Sequence, residues 1–140
     1  MTESDRFQDN SSGVITDNKH KKHWLPKDSW GDLGQWRNFN EAIAYVRLMN
    51  QVYAGGYSNW RLPTSQEAED LYDIAYDQID WEEEVVHIST LFVTKCSNYL
   101  WTSNKDDNQN VCRINLRNKE LDFVDPNTRD HQAARLVRDI

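Results

Sequence analysis

Three features of this 140-residue chain predict an α+β fold. Two segments, near 39–50 and at about 65–76, carry apolar residues at helical spacing. The last third alternates apolar and polar residues with a period of two, as a half-buried strand requires. Between them, at Trp60-Arg61-Leu62-Pro63-Thr64, an extended chain breaks sharply into a helix. Together these features predict two helices packed on a small twisted antiparallel β-sheet. At this length the chain is expected to be a single domain, 1–140, with 1–5 a loose tail.

The elements follow in order. Residues 1–12 are polar. Gly13–Thr16 and His23–Leu25 read as a short hairpin around Asp17–Lys22. Residues 26–38, with Pro26, Gly31 and Gly34, read as a loop whose Trp30 and Trp36 are expected to plug the core. Asn38 or Asn40 caps the first helix, which carries an apolar stripe of Phe39, Ala42, Ile43, Val46 and Met49, and Gly55-Gly56 stops it. Pro63 holds Leu62 extended. Thr64, with Glu67 three residues on, forms a capping box, and Ala68, Leu71, Tyr72 and Ala75 continue at helical spacing. Residues 77–90 read as irregular, their glutamate run as a solvated face. Tyr99–Ser103 is a strand and 104–110 a polar tip. Cys112, Ile114 and Leu116 then alternate with Arg113, Asn115 and Arg117 to give a strand with a clean outer face. Asn118-Lys119 turns the chain, Leu121 and Phe123 form the return, and Arg135–Arg138 is the last strand. A tip at Asn104–Asn110 sets Asn104 opposite Val111 and keeps Cys96 and Cys112 apart as separate thiols.

The formal charge is −7 and the pI about 5.0. That sign disfavours nucleic acid and anionic membranes as partners, because neither would release counterions to this surface. Mean hydropathy is low, −0.88, yet the chain has six Trp, six Tyr and four Phe. A fully buried ring takes about 150–250 Å² out of water, so a few can build a core that the aliphatic content alone would not. No apolar run is long enough to span a bilayer, and no signal peptide follows Met1. If Met1 is the native start, a cytoplasmic protein is expected; an excised domain of an exported protein would read the same way.

The segment GGYSNWRLPTSQEAEDLY resembles the signature of the Lcl C-terminal domain family, a bacterial family of largely unknown function. RFQDNSSGVITDNKHKKHWL, FNEAIAYVRLMN, LFVT, YLWTSN and ARLVRD are similar to other stretches of that family, in the same order, so the resemblance covers Arg6–Asp139. The same corner resembles a box of the formylglycine-generating, sulfatase-modifying family. Both resemblances imply a variant of the C-type-lectin-like fold.

Catalytic groups cannot be assembled from the residues. A sulfatase modifier uses a close pair of cysteines near the chain end, whereas Cys96 and Cys112 lie far apart, and the glycine-rich box of that family is absent. C-type lectins that bind sugar through calcium use a Glu-Pro-Asn or Gln-Pro-Asp tripeptide followed by Trp-Asn-Asp. Here Asp125-Pro126-Asn127 follows Trp101, the wrong order, and a type I turn explains it. Asp106-Asp107-Asn108 offers hard oxygens but also suits a hydrophilic tip. His20 and His23 lie three apart on a turn, and His87 and His131 have no nucleophile nearby. Arg61 is either an anion-binding residue or a structural arginine held by a carboxylate and carbonyls, and the folding roles of its neighbours favour the second.

No cofactor is expected. The resemblance, with no catalytic constellation to set against it, implies a non-catalytic module recognising a protein or glycan through the C-terminal sheet loops, with Asn104, Asp106, Asp107, Asn108, Asn110, Arg113, Asn115 and Arg117 as candidates. Asn is also good turn chemistry, which leaves that assignment open. The alternatives are an enzyme distantly related to the sulfatase modifiers and a structural subunit that assembles as a homo-oligomer. Trp60, Arg61, Leu62, Pro63, Thr64 and Glu67 form the structural motif.

Overall fold

β1 (Phe7–Asp9), β2 (Ile15–Asp17) and β3 (Lys22–Trp24) form an antiparallel meander, and β10 (Val137–Asp139) pairs with the free side of β3. The C-terminal strand therefore completes the N-terminal sheet. The computed structural model describes residues 6–140; the loose tail expected at 1–5 lies outside them. Ile15 stands opposite Trp24 and Thr16 opposite His23, as the expected hairpin requires. The last strand runs two residues later than its predicted start, because Ala134, Arg135 and Leu136 are buried in the approach to it.

The stretch expected to be loop contains a short helix, α1 (Ser29–Leu33). Asp28 caps it, accepting from the Gly31 N–H, and Gly34 closes it in the left-handed region at φ 69°. α2 (Phe39–Gln51) starts at Asn38, whose side chain and that of Glu41 form a reciprocal capping box. α3 (Ser65–Leu71) has the predicted Thr64–Glu67 box but stops five residues short of expectation. Tyr72 is extended (φ −72°, ψ 132°), and the Asp73 N–H donates to the His87 carbonyl instead of continuing the helix. The region expected to be irregular holds a small hairpin, β4 (Gln78–Ile79) and β5 (Val85–Val86). Its glutamates, Glu82, Glu83 and Glu84, are exposed as expected.

β6 (Tyr99–Lys105), β7 (Val111–Asn115), β8 (Leu121–Val124) and β9 (Gln132–Ala133) make a second sheet in the order β8-β7-β6-β9, with β9 parallel to β6. The α+β class is thus correct, but there are three helices among the described residues and two four-stranded sheets. The predicted tip register is corrected as well. Lys105, not Asn104, faces Val111, and a bulge then brings Trp101 opposite Arg113. Between these pairs β6 runs four residues against two on β7, and such extra residues shift every pair beyond them.

Two apolar clusters form the core. Val14 and Ile15 are chain neighbours but enter different clusters, as do Trp24 and Leu25, Leu100 and Trp101, and Leu136 and Val137. Successive strand residues point to opposite faces, so these strands are lined on both sides. One cluster gathers Phe7, Leu71, Phe92 and Ile114; the other gathers Phe39, Ala42, Tyr45, Trp60 and Leu62 beneath α2. The clean outer face expected of β7 does not exist: Val111, Cys112, Arg113 and Ile114 are all buried. Cys96 and Cys112 are separate, buried thiols.

Gly55 sits at φ 62°, where an added Cβ would lie 2.4 Å from the Val14 side chain; Gly56, at φ 91°, meets nothing within 4 Å. Gly55→Ala is expected to destabilise by about 2–4 kcal/mol, through strain plus overpacking, and Gly56→Ala by only about 1 kcal/mol. Urea denaturation of the two variants checks this; equal losses would contradict the close approach at Gly55.

Candidate functional site

At the predicted corner, Trp60 is buried. Its indole N–H donates to the Ala54 carbonyl at 2.8 Å, and its backbone exchanges hydrogen bonds with the Asn50 side chain at 2.7 and 3.0 Å. Arg61 pairs its backbone with Val137 and grips both oxygens of Glu67 at 2.6 and 2.8 Å, with Asp139 at 3.2 Å. Glu67 also accepts from Lys22 at 2.9 Å and from the Thr64 N–H. Burial pushes this carboxyl up, but the hydrogen bonds from Arg61, Lys22 and Thr64 outweigh it and hold the group well below the ordinary carboxylate range. Arg61 and Lys105 also stand on the rim of a groove of about 610 Å³, floored by Phe39, Ile43, Val46 and Leu62. The Arg61 guanidinium is already committed to carboxylates, and Lys105 lies 5.1 Å over the Phe39 ring.

The candidate ligand residues fall at opposite ends of the β6–β7 hairpin. At the tip, the Asn104 side chain accepts from the Ser65 N–H at 2.8 Å and so helps cap α3. Asp106 accepts from the Asn108 and Asn110 N–H groups, both at 2.9 Å, which makes its carboxylate part of the turn. Asp107 and Asn108 are exposed. At the other end, Arg113 pairs with Asp122 at 2.9 Å and Asp130 at 3.4 Å, its guanidinium 3.7 Å over the Tyr99 ring. Asn115 accepts from the Arg117 N–H at 3.1 Å, and Arg117 reaches Asp80 at 2.7 Å and Glu82 at 3.0 Å.

Beside this second end lies a cluster that the sequence reading missed. Trp30 and Trp36 do not plug the core. They stack on each other at 3.9 Å, 3° from parallel, and both remain half-buried. Trp81 meets the Trp36 edge at 5.3 Å, and His131 lies 5.0 Å from Trp36 and 4.2 Å from Trp81. Backbone pairing holds the parts in place. The Arg37 N–H donates to the Gln132 carbonyl, the Trp101 indole to the Arg37 carbonyl, and the Trp81 indole to the Asn98 side chain at 2.9 Å. His131 adopts φ 61°, and its Nδ1 lies 3.4 Å from Asp130. The one signal for this face in the sequence was a pair of Trp in a loop without apolar neighbours at regular spacing.

Other reactive groups are dispersed. His20 bonds to Asp17, whereas His23 stacks on Tyr57 beside Arg138, so the two histidines do not converge. Among the described residues, no three His, Cys, Asp or Glu are arranged to hold a metal ion. Burial pushes the Cys96 thiol up to about 12 and raises Cys112, which disfavours thiolate at either position.

With this geometry in place, the chain can be assigned to a family. It belongs to the Lcl C-terminal domain family, whose model matches residues 13–138. No curated protein and no solved structure matches it.

Arg61→Ala is expected to cost about 3 kcal/mol, because it leaves Glu67 short of a partner in a largely buried site. A neutral outcome in thermal melts would release Arg61 for ligand binding. Because the folded Glu67 pKa is depressed, its stabilisation is present above its ordinary value of 4.5 and is lost as pH falls below that. Wild type should therefore lose more stability than Glu67→Gln between about pH 5 and pH 2 in acid titrations followed by circular dichroism.

Proposed function

We propose that this chain is a non-catalytic recognition module, a variant of the C-type-lectin-like fold, that binds a protein or glycan ligand on the face formed by Trp30, Trp36, Trp81 and His131. The observation that carries this reading is the Trp30–Trp36 stack, left half-buried at the surface on a backbone pinned by β9. Large rings that the core does not need, gathered on one surface, are a common mark of a contact site. Arg113, Asn115 and Arg117 border this face, whereas Asn104 and Asp106 serve the hairpin tip. The pairing of β3 with β10, which draws both ends of the chain into one sheet, supports the fold assignment. Two buried thiols with raised pKa values support a binding role over sulfatase-type oxidation.

A second reading, homo-oligomer assembly, has its own support in β8. This edge strand leaves Phe123 48% and Leu121 39% exposed. Light scattering over a range of concentrations separates the two readings.

An array of glycans and peptides probed with the purified domain tests the main proposal. Trp36→Ala should weaken any specific hit by about tenfold or more, as loss of a central contact does, while the fold melts as one transition. Hits that survive Trp36→Ala and Trp30→Ala unchanged would remove the aromatic face from the proposal.

A further inference from the structure

We infer that the ligand of the aromatic face is cationic: a polypeptide segment presenting arginine. This rests on the recognition role proposed above and names its chemistry. Three observations favour it. First, two cations that border the face, Arg113 and Arg117, are met by four carboxylates, Asp122, Asp130, Asp80 and Glu82. Both guanidinium groups are neutralised within the chain, and neither is left to receive an anion.

Second, the surplus acids sit beside the rings. Glu82 follows Trp81 and Asp130 precedes His131, and their side chains are each 52% exposed. Asp130 lies 3.4 Å from His131, whose ring lies 4.2 Å from Trp81, so acidic charge borders the rings, and desolvated guanidinium–indole contacts are among the stronger of their kind. Third, the chain already holds one guanidinium this way. The Arg113 guanidinium carbon lies 3.7 Å over the Tyr99 ring while Asp122 and Asp130 take its N–H groups. With a net charge of −7, the long-range field points the same way and would slow the approach of sulfated or phosphorylated ligands.

The test uses three probes followed by tryptophan fluorescence and calorimetry at low and physiological salt: a hexa-arginine amide, the neutral oligosaccharide cellohexaose, and a heparin hexasaccharide. Hexa-arginine is expected to quench the indole emission and to bind more weakly as salt rises. The paired variant Glu82→Gln/Asp130→Asn should weaken binding by about tenfold, whereas Asp9→Asn, an exposed acid on β1, should leave it unchanged. Equal losses in the two variants would mean that hexa-arginine responds to net charge alone, and no loss in either that the acids beside the rings do not receive it; each outcome would overturn the inference. Cellohexaose or heparin binding that is lost in Trp36→Ala, with hexa-arginine inert, would also overturn it while leaving the aromatic face as the recognition site. If all three probes fail and no array hit depends on Trp36, both the ligand class and the recognition role fall.

Discussion

The bidentate contact between Arg61 and Glu67 is the constraint on which the rest of the fold depends. Glu67 caps its own helix through the Thr64 N–H, takes both nitrogens of Arg61 and also receives Lys22 from β3. Arg61 in turn exchanges two backbone hydrogen bonds with Val137. One carboxylate thus ties the start of α3, the N-terminal sheet and the C-terminal strand together. Removing one partner of such a group costs more than the pair contributes, because the other is left desolvated and unmatched.

Two further buried pairs tie distant segments of the chain together. Arg6 bonds to Asp17 at 3.1 and 3.2 Å and to the Asp70 carbonyl, joining the N-terminal sheet to the end of α3. Arg135, fully buried, donates to the Leu25 and Pro26 carbonyls and lies 3.7 Å from Asp28, whose oxygens also cap α1 and accept from Ser97. Such pairs add little net stability compared with apolar packing of equal volume. They do bring α1, the 97–98 segment and the approach to β10 to one point, and α1 carries Trp30.

The aromatic face is therefore a product of long-range contacts. Trp30 comes from a helix capped by Asp28, Trp36 from a loop pinned to β9, Trp81 from a hairpin anchored by Asp80, and His131 from the turn before β9. The Arg37 N–H donates to Gln132 beside Trp36, and the Trp81 N–H and indole donate to Cys96 and Asn98, so these two rings are held from other elements. The surface is preorganised, so a ligand would not have to supply the ordering entropy of these side chains.

The sequence by itself determined the α+β class, the Thr64–Glu67 capping box, the break at Pro63 and the N-terminal hairpin. The capping box and the break at Pro63 depend on neighbours within four residues, where local propensity decides, and the hairpin on a short turn between adjacent strands. Family membership was legible for the same reason, since its signature lies in that corner. Only tertiary structure decided where α3 stops, because the partner of the Asp73 N–H is His87. It also decided the bulge in β6 and the burial of β7 on both faces, because strands lined by two clusters lose the outer surface that alternation implies. The split of the asparagine-rich candidates, and the gathering of Trp30, Trp36, Trp81 and His131, were likewise beyond local pattern. Those four residues span a hundred positions of chain, and nothing in their spacing encodes contact; the two sheets and their buried ion pairs bring them together.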